Sequence, residues 1–224
     1  LIQEFKKHAH NRFLRSLYFT YIWFPSTLFC LKRALNNSTV VLDLGCGNNS
    51  IIHDLTGDLF SVGVDFFVPY LKESKRWLLH KDYVRADITT VQFADKSFDA
   101  VLLIEVLEHL PREEGVRLLE NASKWTKNVL VVCTPNGFIA QREYDSNPLQ
   151  AHKSGWTVKQ LEQLGFKCYG TGGLKQLTGD SGRPKLSPLL LGLLVASVTQ
   201  KLVFYTPENA FGLFAVKRMQ AAAR

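Results

Sequence analysis

The sequence predicts an α/β fold: a doubly wound, mostly parallel sheet sandwiched by helices, with an N-terminal helical extension and a Leu-rich helical insertion before the last strand. Three observations carry this. From residue 40 onward, short continuous β-branched runs alternate with polar stretches of helical spacing, the pattern of strands covered on both faces. A glycine-rich turn, DLGCGNNS, ends the first of those runs, where open parallel sheets place their binding loops. A chain of 224 residues with 46% hydrophobic and 21% charged residues can bury a substantial core and lies outside the disordered class.

The elements follow in order, as one domain over residues 1–224: a helical cap (1–38), a core (39–134), and a third part of loop, helices and final strands (135–224). In the cap, Ile2, Phe5, Ala9, Phe13, Leu17 and Tyr21 recur every three to four residues, which makes a helix with one apolar face, and Pro25 ends or kinks it. TVVLDLG, LFSVGVD, YVRADI, FDAVLLIE and NVLVVCT are the first five strands. NNSIIHDL, VPYLKESKRWLLH and REEGVRLLENASKW supply helices between them. After the fifth strand comes an irregular stretch from Pro135 to Gly155, and loops of that length in compact domains serve as lids or binding loops. WTVKQLEQLGF restores a helix, and FKCYGTG and AFGLFAVKR are the last two strands. Between those strands, SPLLLGLLVASVTQKLVFY is interrupted by Ser197, Thr199, Gln200 and Lys201, whereas a membrane span takes about 20 mostly apolar residues. Two readings stand: a helix covering core or pocket, or one lying on a membrane surface.

The net charge of +7 is concentrated at the ends. Residues 1–35 carry six Lys/Arg against one Glu, and residues 180–224 carry six against two acids. Such ends suit an anionic surface, either lipid headgroups or nucleic-acid phosphates. Cys30, Cys46, Cys133 and Cys168 form no C-x-x-C pair, which speaks against a zinc knuckle and a disulfide scaffold. The N-terminus is too charged and aromatic for a secretion signal, so a cytoplasmic setting is expected, with peripheral contact at the inner membrane face.

Chemistry gathers at the strand ends. Gly45 and Gly47 allow close backbone approach, but Asn48, Asn49, Ser50 and Ile51 follow with no third glycine, so the dinucleotide fingerprint is incomplete. Asp65 ends the second strand, where a carboxylate can accept both hydroxyls of a ribose and disfavours a 2′-phosphate. Asp87 and Ile88 end the third, placed to meet an adenine by hydrogen bond and by apolar contact. With DLGCG, Asp65, the AD pair, FDAVLLIEVLEHL and TPN in this order, the chain resembles the class I S-adenosylmethionine-dependent methyltransferases. The resemblance implies a seven-stranded sheet and a cofactor-binding set of Asp43, Gly45, Cys46, Gly47, Asp65, Phe66, Asp87, Ile88, Glu105 and Val106. It also explains the missing glycine: S-adenosylmethionine has no pyrophosphate, and Asn48 to Ser50 can cap a helix whose open end meets a methionine carboxylate.

In IEVLEHL, Glu105, Glu108 and His109 share one face if a helical turn begins there, and His152 in QAHKSGW can join them. His109, His152 and Glu105 are the candidate bases for a hydroxyl acceptor. The cluster Glu105, Glu108, His109 and His152 is similar to the magnesium cluster of ubiquinone-pathway and small-RNA 2′-O-methyltransferases. A hydrogen-bonded turn before Pro111 accounts for it equally, and the expectation is no resident metal. Phe13, Tyr18, Tyr21, Trp23, Phe24, Trp156 and the Leu-rich segment form an apolar acceptor lining. The expected reaction is O-methylation of a small amphiphilic, glycan or lipid-linked acceptor. The alternatives are metal-assisted 2′-O-methylation of RNA, with nucleic acid the less favoured partner, and a non-catalytic cofactor-binding protein.

Overall fold

The computed structural model describes residues 25–55, 59–143, 145–179, 185 and 189–220; the helix expected over residues 2–21 lies outside them. Helix α1 (Thr27–Ala34) follows Pro25 and is capped by Ser26, whose hydroxyl accepts from Phe29 N. Seven strands follow: β1 (Val40–Leu44), β2 (Phe60–Asp65), β3 (Asp82–Arg85), β4 (Phe98–Ile104), β5 (Thr126–Pro135), β6 (Lys167–Leu174) and β7 (Ala210–Arg218); β3 stops short of the expected YVRADI, so Asp87 and Ile88 lie beyond its end. They form one sheet in the order β3-β2-β1-β4-β5-β7-β6. β7 alone runs antiparallel, to both β5 and β6. The order reverses between β1 and β4, and the ends of both strands meet at that switch point.

Period-two alternation sorts the strand side chains between two cores. Leu42, Leu44, Val101, Leu103, Leu130 and Val132 face one, while Val41, Ala100, Leu102, Val129 and Val131 face the other. Helices α3 (Arg112–Trp125) and α4 (Val158–Gln163) cover the first core with Leu118, Ala122, Trp125, Val158 and Leu161. α1 covers the second with Cys30, Leu31 and Ala34. α3 begins with Glu113 and Glu114 and ends with Lys124, charges that complement the helix dipole. A capping box of Thr157 and Gln160 starts α4.

Two expected helices differ. The segment after β1 forms only a 3-10 turn, Ile51–Asp54, capped by Ser50, so no long helix presents its open end to the glycine turn. Helix α2 (Val68–Arg76) stops short of the predicted VPYLKESKRWLLH because Leu78 takes a φ of 52°, outside helical space. The Leu-rich segment forms α5 (Leu189–Val203), which packs along β6, the outer strand. Gln200 reads that edge: its side-chain oxygen accepts from Gly173 N, and its amide donates to Gly170 O and Pro25 O. An edge strand's free backbone groups are thereby satisfied inside the protein. Among the described residues no helix is long and apolar enough to cross a membrane.

Candidate functional site

Two side-chain groups flank the switch point. The first is the turn after β1. Gly45 and Gly47 both adopt left-handed backbone angles, with φ of +68° and +59°, which side-chain-bearing residues adopt only at a cost. A Cβ on Gly45 would also approach Val106 Cγ2 to 2.7 Å, so this glycine lets the turn rest on the residue just beyond β4. A Cβ on Gly47 would meet nothing within 4 Å: that position faces an open cradle. Asp65 ties the turn to β2, accepting from Gly47 N (2.9 Å) on one oxygen and from Phe67 N (2.8 Å) on the other. A carboxylate offers about four acceptor sites, so acceptor capacity remains for a ribose hydroxyl.

Asp43 sits beneath the turn. It is 3% exposed, accepts from Ser50 Oγ at 2.6 Å, and lies 3.5 Å from His80 Nε2. Its carboxylate therefore supports the turn from below, with Ser50 as the link to the 3-10 turn. Burial pushes the Asp43 carboxyl up to about 7, against the lowering effect of Ser50 and with a further push from the charge of Asp65. A carboxyl that holds its proton more tightly when folded contributes stability that is fully present below its unfolded value near 3.8 and is lost as pH rises through about 7. Asp43→Asn is accordingly expected to flatten the fall in stability between mildly acidic and mildly alkaline buffer. Urea unfolding of both proteins across that range checks it, and parallel slopes would count against it.

The remaining expected cofactor residues line the same edge. Asp87 is exposed and uses one carboxylate oxygen to cap its own turn, accepting from Thr89 N (2.8 Å) and Thr89 Oγ1 (2.7 Å). Ile88 is half-buried against the first core. Phe66 stands 52% exposed just past β2 with the Arg85 guanidinium 5.7 Å from its ring. Cys46 is buried under the turn and its thiol is pushed far up by burial, so it acts as an apolar packing group.

The second group begins at Glu105, where the chain leaves β4 with a φ of +54°. Such an angle on a non-glycine residue costs about 1–3 kcal/mol and gathers at functional sites. A 3-10 turn, Leu107–His109, follows. Glu108 is 2% exposed; one carboxylate oxygen accepts from Thr134 Oγ1 at 3.0 Å, and its carboxyl shares a hydrogen bond with that of Glu105. Burial and the adjacent Glu105 charge push its carboxyl well above the usual range.

The loop after β5 brings His152 to this turn. Lys153 N and Ser154 N donate to Glu108 O, and Ser154 Oγ donates to Leu107 O. The anchor is Trp156, 1% exposed: its carbonyl accepts from Gly137 N and its ring lies under the Arg112 guanidinium at 4.4 Å. Gly115 of α3 makes room, since a Cβ there would stand 2.6 Å from Trp156 Cζ2. Sequence reasoning placed Trp156 in the acceptor lining; the structure buries it in the core instead. It missed Thr134 and Gly115, though a lone glycine inside REEGVRLLENASKW was the available signal.

Glu108, His109 and His152 each bring a ligand atom within 4.8 Å of the others. Both imidazoles are oriented through Nδ1, which donates to Ala151 O (3.4 Å) in His109 and to Ile139 O (2.6 Å) in His152. Because a carbonyl can only accept, each Nε2 is left with its lone pair. Burial and the neighbouring His152 pull the His109 imidazole down to about 4, so it is neutral at physiological pH. Imidazoles oriented through Nδ1 beside a buried carboxyl are groups that could hold a divalent cation. Glu105, which the sequence also placed in this cluster, is not among the three that meet; it is hydrogen-bonded to Glu108.

The family pattern described as a methyltransferase domain matches residues 42–140. A protein of Encephalitozoon cuniculi, named provisionally as a methyltransferase, is 27% identical over 166 residues, covering 67% of this chain and 75% of its own. The methyltransferase domain of a bacterial Hen1 superposes with a TM-score of 0.54 at 18% identity, over 86% of this chain and 97% of that one. The plantazolicin methyltransferase BpumL, in complex with S-adenosylhomocysteine, does so with a TM-score of 0.54 at 15% identity, over 96% and 90%. This sheet order, the glycine turn and the matched pattern over residues 42–140 together make the chain similar to the class I methyltransferases, whose fold it shares.

Proposed function

We propose that the chain methylates a sugar hydroxyl with the help of a divalent cation held by Glu108, His109 and His152. The observation that carries this is that Glu108, His109 and His152, from two separate segments, each bring a ligand atom within 4.8 Å of the others. The sequence alone favoured no resident metal; the meeting of Glu108, His109 and His152 supports the opposite reading, and a cation would draw off the proton that burial makes Glu108 hold.

S-adenosylmethionine supplies a sulfonium methyl that is already activated. The chain's own work is to align and to exclude water. In this reading Gly45 and Gly47 admit the methionine portion, Asp65 accepts from the ribose, and Phe66, Asp87 and Ile88 hold the adenine. The Gly45 to Val106 contact seats that cradle directly against the Glu105 turn. A cation in the cluster would offset the paired carboxylates and act as a Lewis acid toward the acceptor hydroxyl. His109 and His152 hold its position through their Nδ1 hydrogen bonds.

A glycan acceptor is preferred to a lipid one in this reading because Trp156, expected in the apolar acceptor lining, is buried in the core; Phe13, Tyr18, Tyr21, Trp23 and Phe24 of that lining lie outside the described residues. A second reading, 2′-O-methylation of RNA, is favoured by the basic ends and by the meeting of Glu108, His109 and His152. Labelled S-adenosylmethionine incubated with separated glycan, lipid and RNA pools, with magnesium or with chelator, tests both. Chelator-sensitive label in the glycan pool is expected. Label in RNA that weakens steeply with salt selects the second reading, and transfer indifferent to chelator rejects the cation.

The cofactor assignment has a separate check. Asp65→Ala is expected to abolish the stabilisation by S-adenosylhomocysteine in a thermal shift while the protein stays folded; unchanged stabilisation removes Asp65 from the site.

A further inference from the structure

The two basic stretches of the chain are separated by most of the sequence, yet the fold joins them. Arg33, from the last turn of α1, and Arg218, from the end of β7, line one cavity of about 440 Å³. Lys127 and Asn128 at the start of β5, with Asn37 and Ser38 ahead of β1, complete its polar wall. These segments lie at the amino ends of β1 and β5, the opposite edge of the sheet from the glycine turn and the Glu105 cluster.

Among the described residues the two arginine charges there are not paired. Lys127 is shared with Asp99 at 3.4 Å, but neither Arg33 nor Arg218 forms an ion pair among the described residues, and no Asp or Glu lines the cavity. Its frame is held by backbone bonds, Met219 N to Asn128 O and Ser38 N to Leu35 O. Asp99 braces the neighbouring strand start, accepting from Thr39 N, Thr39 Oγ1 and Val40 N. Two guanidinium forks offer the paired donors that oxyanions accept, and the asparagine amides add neutral donors. A volume within the range of small-ligand pockets distinguishes the site from the extended basic stripe that tracks a nucleic-acid backbone.

We infer that this cavity binds a compact phosphate-bearing anion, at a site separate from methyl transfer. Inorganic pyrophosphate titrated into the full chain at constant ionic strength, followed by calorimetry, tests it. Saturable binding is expected, and Arg33→Ala/Arg218→Ala should weaken it at least about tenfold, the scale of a lost charge-assisted hydrogen bond. Both arginines are exposed, so the melting temperature of that variant without pyrophosphate should match the parent. Asp65→Ala should bind pyrophosphate unchanged. The inference is overturned if the double variant binds equally well, if S-adenosylhomocysteine displaces pyrophosphate, or if sodium chloride reproduces the heat. It is also overturned if a short single-stranded RNA, but not pyrophosphate, depends on the two arginines.

Discussion

Glu108→Gln is expected to lower methyl transfer at least about a hundredfold, the scale on which metal affinity and activity respond to such changes, while folding and S-adenosylhomocysteine binding stay intact. The substitution keeps the shape and the ability to accept from Thr134 Oγ1. It removes a buried carboxyl, pressed against Glu105, that forms no ion pair among the described residues. If Glu108 served the fold alone, replacing a strained carboxylate by a neutral amide would be neutral or stabilising, and activity would be retained. A melting temperature equal to or above that of the parent, together with lost turnover and lost response to added magnesium, is therefore the signature of a functional carboxylate. Retained turnover at any magnesium concentration would show that it is not one.

Trp156→Ala is expected to cost about 3–5 kcal/mol, the range for removing a large buried aromatic side chain, and hence roughly 6–20 °C in melting temperature for a chain of this size. The cost should stand at the upper part of that range, because the ring fills the space that Gly115 leaves and lies under Arg112. Activity should fall further than the folded fraction does. His152 reaches the Glu108 turn on a loop whose far end Trp156 fixes, through backbone bonds from Lys153 N and Ser154 N to Glu108 O. Assays well below the melting temperature separate the two losses, and Trp156→Phe should restore part of both. Full activity of the folded alanine variant would mean that the loop is positioned by its hydrogen bonds alone.

The legible parts of this protein were those with local causes. The central strands β1, β4 and β5 lie where a continuous apolar run demands burial on both faces, and α3 matches its periodic stretch over Arg112–Trp125. The helix after β1 was misread because Asn48, Ser50, Ile51 and Ile52 carry both capping and helical spacing, while the chain there completes only the 3-10 turn. α5 shows a similar limit. Its composition marked an apolar helix, but only packing made β6 its partner, with Leu194, Val198 and Leu202 left 63%, 57% and 67% exposed.

By itself the sequence determined the strand order of chemistry: a glycine turn after β1, an acid after β2, an acid and an isoleucine after β3, and two carboxylates with a histidine after β4. Those signals are local, because backbone angle and strand length place each residue relative to its own strand end. Tertiary structure decided which side chains meet. His152 belongs to a stretch with no periodicity, so its approach to Glu108 and His109 depends on Trp156 finding the concavity at Gly115 some forty residues earlier. The meeting of Arg33 and Arg218 at one cavity likewise follows from β7 running antiparallel beside β5. Contacts across such separations come from sheet order and core packing, which no single stretch of residues contains.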